Sequence, residues 1–114
     1  AMCSIIGSIN RPHKRLWDQN LGILELISSG LGLKEQYWQY GVIIRGGMDN
    51  PRFYRVDIDG IMQRRCANVR LQPGDVVYIP HDNISEYNVF IRKLLPTAQL
   101  LSTFTFPALN LAIP

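Results

Sequence analysis

Two histidines, two cysteines and a closely spaced pair of aspartates are the side chains of this 114-residue chain most suited to reactive chemistry. His13 and His81 each follow a proline, in segments read as loops, and neither has a partner at metal-ligand spacing. Both read as surface histidines. Cys3 and Cys66 lie far apart, with no CxxC or Cys/His pattern. They could pair in an oxidising compartment, and Cys66, between Arg65 and Ala67, reads equally as a partly buried free thiol. Asp57 and Asp59 would share one face of a strand, as a carboxylate pair working as acid and base requires. Arg55 would share that face too, which makes a solvated charge ladder the simpler reading. Gly46-Gly47 joins two expected strands and lacks the lysine and following helix of a phosphate loop. No nucleophile with its base and orienting partner is readable, and neither is a metal-ligand set or a cofactor motif. The expectation is a non-catalytic protein without cofactor or metal.

Contact chemistry is better represented. Trp17, Tyr37, Trp38 and Tyr40 carry rings that stack on the C–H faces of sugars or anchor protein interfaces. The run Tyr37-Trp38-Gln39-Tyr40 precedes a strand, where one or two rings would stay partly exposed; the alternative is that they cap a helix–sheet core. Arg11, Lys14 and Arg15 form one loose basic cluster and Arg64, Arg65 and Arg70 another, in a chain of net charge +3. That charge permits attraction to anions, although dispersed basic residues first describe a solvated face. The arginines are not gathered on one element with interleaved aromatics, so nucleic acid is not an expected partner.

The elements that must position these groups follow from the hydrophobic pattern. A hydrophobic fraction of 46% with 18% charged residues describes a folded chain rather than a disordered one. Residues 3–9 are a short apolar run ending in the turn signal Asn10-Arg11-Pro12. His13 to Trp17 predicts a second short strand with Leu16 or Trp17 turned inward. Asp18 or Asn20 can cap a helix of about three turns, in which Leu21, Leu24, Ile27 and Leu31 recur at helical spacing. Gly30 and Gly32 are natural stops. Tyr40–Arg45 reads as a buried strand, residues 46–51 as a hairpin-style loop, and residues 53–58 as a strand with Tyr54, Val56 and Ile58 inward. A short helix or turn is expected over residues 59–65.

Leu71-Gln72-Pro73-Gly74-Asp75-Val76-Val77-Tyr78-Ile79-Pro80 is the strongest local signal. Pro-Gly presets a tight turn, Asp75 can bond the turn backbone, and Val76 to Ile79 suit a strand that Pro80 ends. Beyond it, Asn83 and Glu86 make a capping-box pattern. Ile84, Tyr87, Phe90, Ile91, Leu94 and Leu95 then share one face of a helix over residues 83–95, which Pro96 ends. Residues 96–114 contain no charge and read as an extended tail that needs a partner surface. The predicted fold class is therefore α+β: a β-grasp domain over residues 3–80, with a mixed sheet wrapping one helix, then the amphipathic helix and the uncharged tail. Ala1-Met2 reads as a cloning remnant, and the start of the chain shows no signal-peptide pattern.

Several of these segments resemble one family. Gly7-Ser8-Ile9-Asn10-Arg11-Pro12 is similar to the G-x-V-x-x-P opening of the soluble-ligand-binding β-grasp (SLBB) domain. Leu24–Gly30 falls where that family has its helix, Val42–Arg45 and Tyr54–Ile58 where it has strands, and Leu71–Pro80 where it has its closing signature. Ile84–Asn88 looks like the continuation in outer-membrane polysaccharide export proteins of Gram-negative bacteria. The resemblance spans about residues 3 to 95; His13 replaces a usual glycine, and Ile27-Ser28-Ser29 an alanine-rich helix end. It implies a domain on the periplasmic side of the outer membrane, packed in a homo-oligomeric ring that lines a passage for capsule or exopolysaccharide. The implied partners are the exported polysaccharide, neighbouring subunits and an inner-membrane export partner. Arg11, Arg64 and Arg65 would then face an acidic glycan or pair across a subunit interface, with Trp17, Tyr37, Trp38 and Tyr40 as further contacts. The alternative is a monomeric module that binds a glycan or small ligand.

Overall fold

The Pro73-Gly74 turn fixes the start of the central strand. In the computed structural model, which describes residues 1–46 and 51–82, Gly74 has φ +86° and the Asp75 N–H donates to the Gln72 carbonyl at 3.1 Å. A positive φ at the third turn position is the geometry that glycine satisfies without strain. Asp75 Oδ2 accepts from the Gln72 N–H at 2.8 Å, as its place after the turn predicts.

Among the described residues, five strands and two short helices follow in the order β1 (Met2–Gly7), β2 (His13–Leu16), α1 (Ile23–Ser29), β3 (Tyr40–Arg45), β4 (Arg52–Asp57), α2 (Ile58–Met62) and β5 (Val76–Ile79). The domain is a small α+β unit built on one mixed sheet of strand order β2-β1-β5-β3-β4. Only the β1–β5 pair is parallel; β1–β2, β3–β4 and β3–β5 are antiparallel. Cys3, Ile5, Ile43, Val77 and Ile79 of the sheet enclose a core with Leu26 and Ile27 of α1 and Ile58 and Ile61 of α2. β-branched residues dominate its strands because a pleated surface between two layers favours them. Gly7 ends β1 with φ +99°, and a Cβ there would press on the Ile79 carbonyl of the parallel neighbour. Met2 opens β1 opposite Leu16, and the Ala1 carbonyl accepts the Trp17 N–H.

Some local expectations give way to tertiary structure. The helix is two turns, not three, and neither Asp18 nor Asn20 caps it. Its N-cap is Gly22, which has no side chain; Glu25 Oε1 accepts the Gly22 N–H at 3.0 Å, and Asn68 Oδ1 accepts the Leu24 N–H at 3.1 Å from across the fold. Asp18 instead closes a turn through the Asn20 N–H. The helix ends at Gly30, so Leu31 lies beyond it at φ +64° and is exposed. In β4, Tyr54 pairs with Ile43 and so lies on the core side as expected, yet on this edge strand it stays exposed, while Phe53 on the opposite face is buried. Asp57 and Asp59 do not form a strand ladder. β4 ends at Asp57, which caps α2 by accepting the Gly60 N–H at 2.9 Å, and Asp59 lies inside that helix. Most of the loop expected over residues 46–51, the helix over 83–95 and the tail over 96–114 lie outside the described residues.

Candidate functional site

The loop before β3 is tied down at every step. Ser8 Oγ donates to the Gln36 carbonyl at 2.6 Å, and the Tyr37 hydroxyl donates to Asp59 Oδ1 at 2.6 Å. The Trp38 N–H donates to the Pro80 carbonyl at 2.8 Å, and the Gln39 carbonyl accepts the Ile58 N–H at 2.8 Å. These four anchors come from β1's exit, α2 and the end of β5. A run of aromatics that would be mobile in an open loop is therefore held in one geometry before any ligand arrives, which lowers the ordering cost of binding.

Trp38 and Tyr40 meet edge to face, with ring centroids 5.2 Å apart and planes at 76°. The Arg55 guanidinium lies over the Tyr40 ring, 4.2 Å from its centroid. Arg55 reaches this place from β4, two register positions along from the Tyr40–Asp57 pair and so on the same face. All three side chains are half-buried. Arg55 was expected to project freely into water; packing on Tyr40 instead holds its planar fork in place, with the donors at the rim available to a carboxylate. Among the described residues Arg55 makes no ion pair. Sequence reasoning missed this member of the cluster, although the alternation that puts Arg55 and Val42 in register is a usable signal.

The other contact candidates are placed elsewhere. Trp17 follows β2 at the opposite edge of the sheet, packs against the core and donates from Nε1 to the Leu71 carbonyl at 2.9 Å. Tyr37 packs on the core beside Trp38, and its hydroxyl is committed to Asp59, which pushes its pKa up to about 12. Arg11 is exposed on the turn after β1, while Arg64 and Arg65 are exposed after α2, with Arg65 Nε donating to Gln63 Oε1. The structure thus brings Tyr37, Trp38 and Tyr40 together and leaves Trp17 and the arginines of both basic clusters on separate elements.

Asp75 is fully buried and receives two bonds from Arg45, Nε to Oδ1 at 3.0 Å and Nη2 to Oδ2 at 2.8 Å. That pair ties the closing turn to β3 and raises the Arg45 pKa through the Asp75 contact. Cys3 is a buried thiol whose pKa burial pushes up, and its Sγ donates to the Gln72 carbonyl. Cys66 is an exposed free thiol rather than a partly buried one, because the chain after α2 leaves the core. His13 bonds the Arg11 carbonyl and Ser29 Oγ. Among the described residues no group of three His, Cys, Asp or Glu side chains could hold a metal ion, and no helix is long and apolar enough to cross a membrane. No model of a known protein family matches the chain, and no curated protein matches it.

Proposed function

We propose that this chain is a non-catalytic β-grasp domain of the polysaccharide-export type, working in the periplasm as one subunit of a ring and touching an acidic glycan through Trp38, Tyr40 and Arg55. The strand order β2-β1-β5-β3-β4 around a parallel central pair supports the β-grasp reading. So does the turn-and-strand segment over residues 71–80, where the family resemblance is densest. The observation that carries the glycan contact is the anchored aromatic pair with a guanidinium stacked on it. Apolar ring faces and edges suit sugar C–H groups, and a planar cation suits a uronate carboxylate. No bond needs to be made or broken. Arg11, Arg64 and Arg65 remain candidates for contacts between subunits or with the passing chain, and the partners are the polysaccharide, neighbouring subunits and an inner-membrane exporter.

Titration with a uronic-acid oligosaccharide, followed by amide and side-chain chemical shifts, tests the glycan contact. The expected result is a shift pattern centred on Trp38, Tyr40 and the Arg55 Nε, with affinity reduced about tenfold in Arg55→Gln, as loss of one charge-assisted bond predicts. Absence of shifts at millimolar oligosaccharide overturns it. Assembly is tested by light scattering on a longer protein that includes any adjoining domains, where a strictly monomeric species at high concentration counts against the ring. The second reading, a monomeric glycan-binding module, is favoured by one specific fact: all three side chains of the platform come from a single chain. Localised shifts together with a monomeric longer protein would select it.

A further inference from the structure

The alternation of ladder bonds shows which side of β2 is open. The Trp17 N–H donates to the Ala1 carbonyl at 2.9 Å, and the register that pairs Met2 with Leu16 sets Ala1 opposite Trp17. Bonded and non-bonded pairs alternate along an antiparallel ladder, so Cys3–Arg15 and Ile5–His13 are the bonded pairs that follow. Met2 and Ser4 turn their backbone groups the other way, toward the turn before β5. The Gly74 N–H donates to the Met2 carbonyl at 3.1 Å, and the Ser4 N–H donates to the Asp75 carbonyl at 3.0 Å. The N–H and C=O groups of Lys14 and Leu16 therefore point outward from the sheet edge. Among the described residues no strand pairs with that side of β2.

The side chains along this edge divide by face. Leu16 pairs with Met2 and Lys14 with Ser4, away from the core side on which Cys3 and Ile5 lie. Leu16 is 68% exposed and Met2 43%, so an apolar pair stands open beside an open backbone. Lys14 is exposed as well. On the core side His13 bonds the Arg11 carbonyl and Ser29 Oγ, and Arg15 Nη1 donates to the Glu25 carbonyl at 3.4 Å. The other edge differs, because Phe53 of β4 is buried and Arg55 is stacked on Tyr40. Charge at the β2 edge has one sign. Among the described residues Arg11, Lys14 and Arg15 make no ion pair. The carboxylates of the flanking segments are engaged elsewhere: Glu25 accepts from the Gly22 N–H and Asn68 Nδ2, and Asp18 from the Asn20 N–H.

We propose that β2 is a docking edge for a short, extended acidic segment of another protein, which joins the sheet as a further antiparallel strand. Main-chain bonds to Lys14 and Leu16 supply the attachment, and alternate side chains supply the selection. Opposite residues project to the same side, so the partner's pattern is readable from this edge. An apolar residue opposite Leu16 covers the Met2–Leu16 pair. Carboxylates opposite Lys14 and Arg15 meet a cation on each face of the sheet. Pro12, which has no N–H, ends the ladder on one side, and the turn closed by Asp18 ends it on the other. The docked stretch therefore matches the four residues of β2. A second copy of β2 does not fit this place, since it sets cations against cations. This inference does not depend on the proposed function.

The test is a titration of the isotope-labelled full chain with the capped peptide Ser-Thr-Val-Glu-Glu-Thr-Ser, followed by amide chemical shifts and hydrogen exchange. Millimolar peptide is expected to shift the Lys14 and Leu16 amides and to slow their exchange, because these two N–H groups gain acceptors. Lys14→Gln, a change at an exposed side chain, is expected to weaken binding about threefold, the scale of one exposed charge pair. The same peptide with lysine in place of both glutamates is expected to leave the spectrum unchanged. Equal shifts from the lysine peptide would show that charge selects nothing, and equal shifts from free glutamate would show attraction of an anion without a ladder. Either result overturns the proposal. Shifts centred on Trp38, Tyr40 and Arg55, or no shifts at millimolar peptide, overturn it equally.

Discussion

Tyr37 holds the aromatic loop to α2 through one bond, and its chemistry makes that bond sensitive to pH. The hydroxyl donates to Asp59 Oδ1 at 2.6 Å, so ionising the phenol would place two negative charges against each other. This contact, with partial burial, pushes the pKa up to about 12 from the usual 10. A group raised in this way contributes stability that is complete below the unfolded value and lost as pH climbs toward the folded one. Tyr37→Phe is therefore expected to cost about 1 kcal/mol at pH 7, the scale of one partly exposed hydrogen bond. The gap to the unsubstituted protein should close between pH 10 and 12. Urea unfolding of both proteins at pH 7 and pH 11 checks this; an equal gap at both pH values would show that the bond to Asp59 does not carry the effect. On the proposed reading, loosening this anchor should also weaken glycan binding at Trp38 and Tyr40 without touching either ring.

At the scale of elements, α1 depends on a residue far from it in sequence. Gly22 offers no side chain for capping, and Asn68 stands in for it: its Oδ1 accepts the Leu24 N–H, while its Nδ2 donates to Glu25 Oε1 at 2.9 Å and steadies the carboxylate that accepts the Gly22 N–H. The Asn68 contact is the main reason that the Glu25 carboxyl lies below its usual 4.5. A depressed carboxylate pKa gives stability that is present above the unfolded value and lost as pH falls through the folded one. Asn68→Ala should cost about 1 kcal/mol at pH 7, as a lost N-cap does, and should flatten the acid limb of the stability curve below about pH 4.5. Denaturant midpoints at pH 7 and pH 3 give the comparison, and an unaltered acid limb would refute the coupling. The same residue shows why the sequence was only partly legible. Turns and strands announced themselves locally, as Pro73-Gly74 and the Val76–Ile79 run did. Asn68 acts across 44 positions on a helix that seemed to carry its own caps at Asp18 and Asn20, and a local pattern does not register such a partner. The burial of Phe53 went unread for a related reason: period-two alternation assumes one wet face, and Val42, Ile44 and Phe53 are buried on the face away from the core. The aromatic half of the candidate site was readable as a cluster, but Arg55 joins it only through the register of β3 with β4.

At the scale of the whole molecule, the strand order leaves β2 and β4 as the two edges. An edge strand presents unpaired backbone groups that can recruit another chain, and basic residues along it are a common guard. β2 carries His13, Lys14 and Arg15 within four residues, and β4 carries Arg52 and Arg55. Two like edges brought together would oppose cation to cation, so ring neighbours on the proposed reading should meet elsewhere. Arg64 and Arg65, exposed after α2, are candidates for such contacts on that reading. Lys14 is the most direct test of the guard. It is exposed and pairs across the strands only with Ser4, beside the exposed Met2–Leu16 pair. Lys14→Val should leave folding stability within about 0.5 kcal/mol, as surface changes usually do, while removing the charge and adding β propensity at an open edge. Light scattering over a concentration series should then show association in the variant that the parent chain lacks. If the variant scatters like the parent throughout, the charge on β2 is incidental, and that edge becomes available as a subunit contact in the proposed ring.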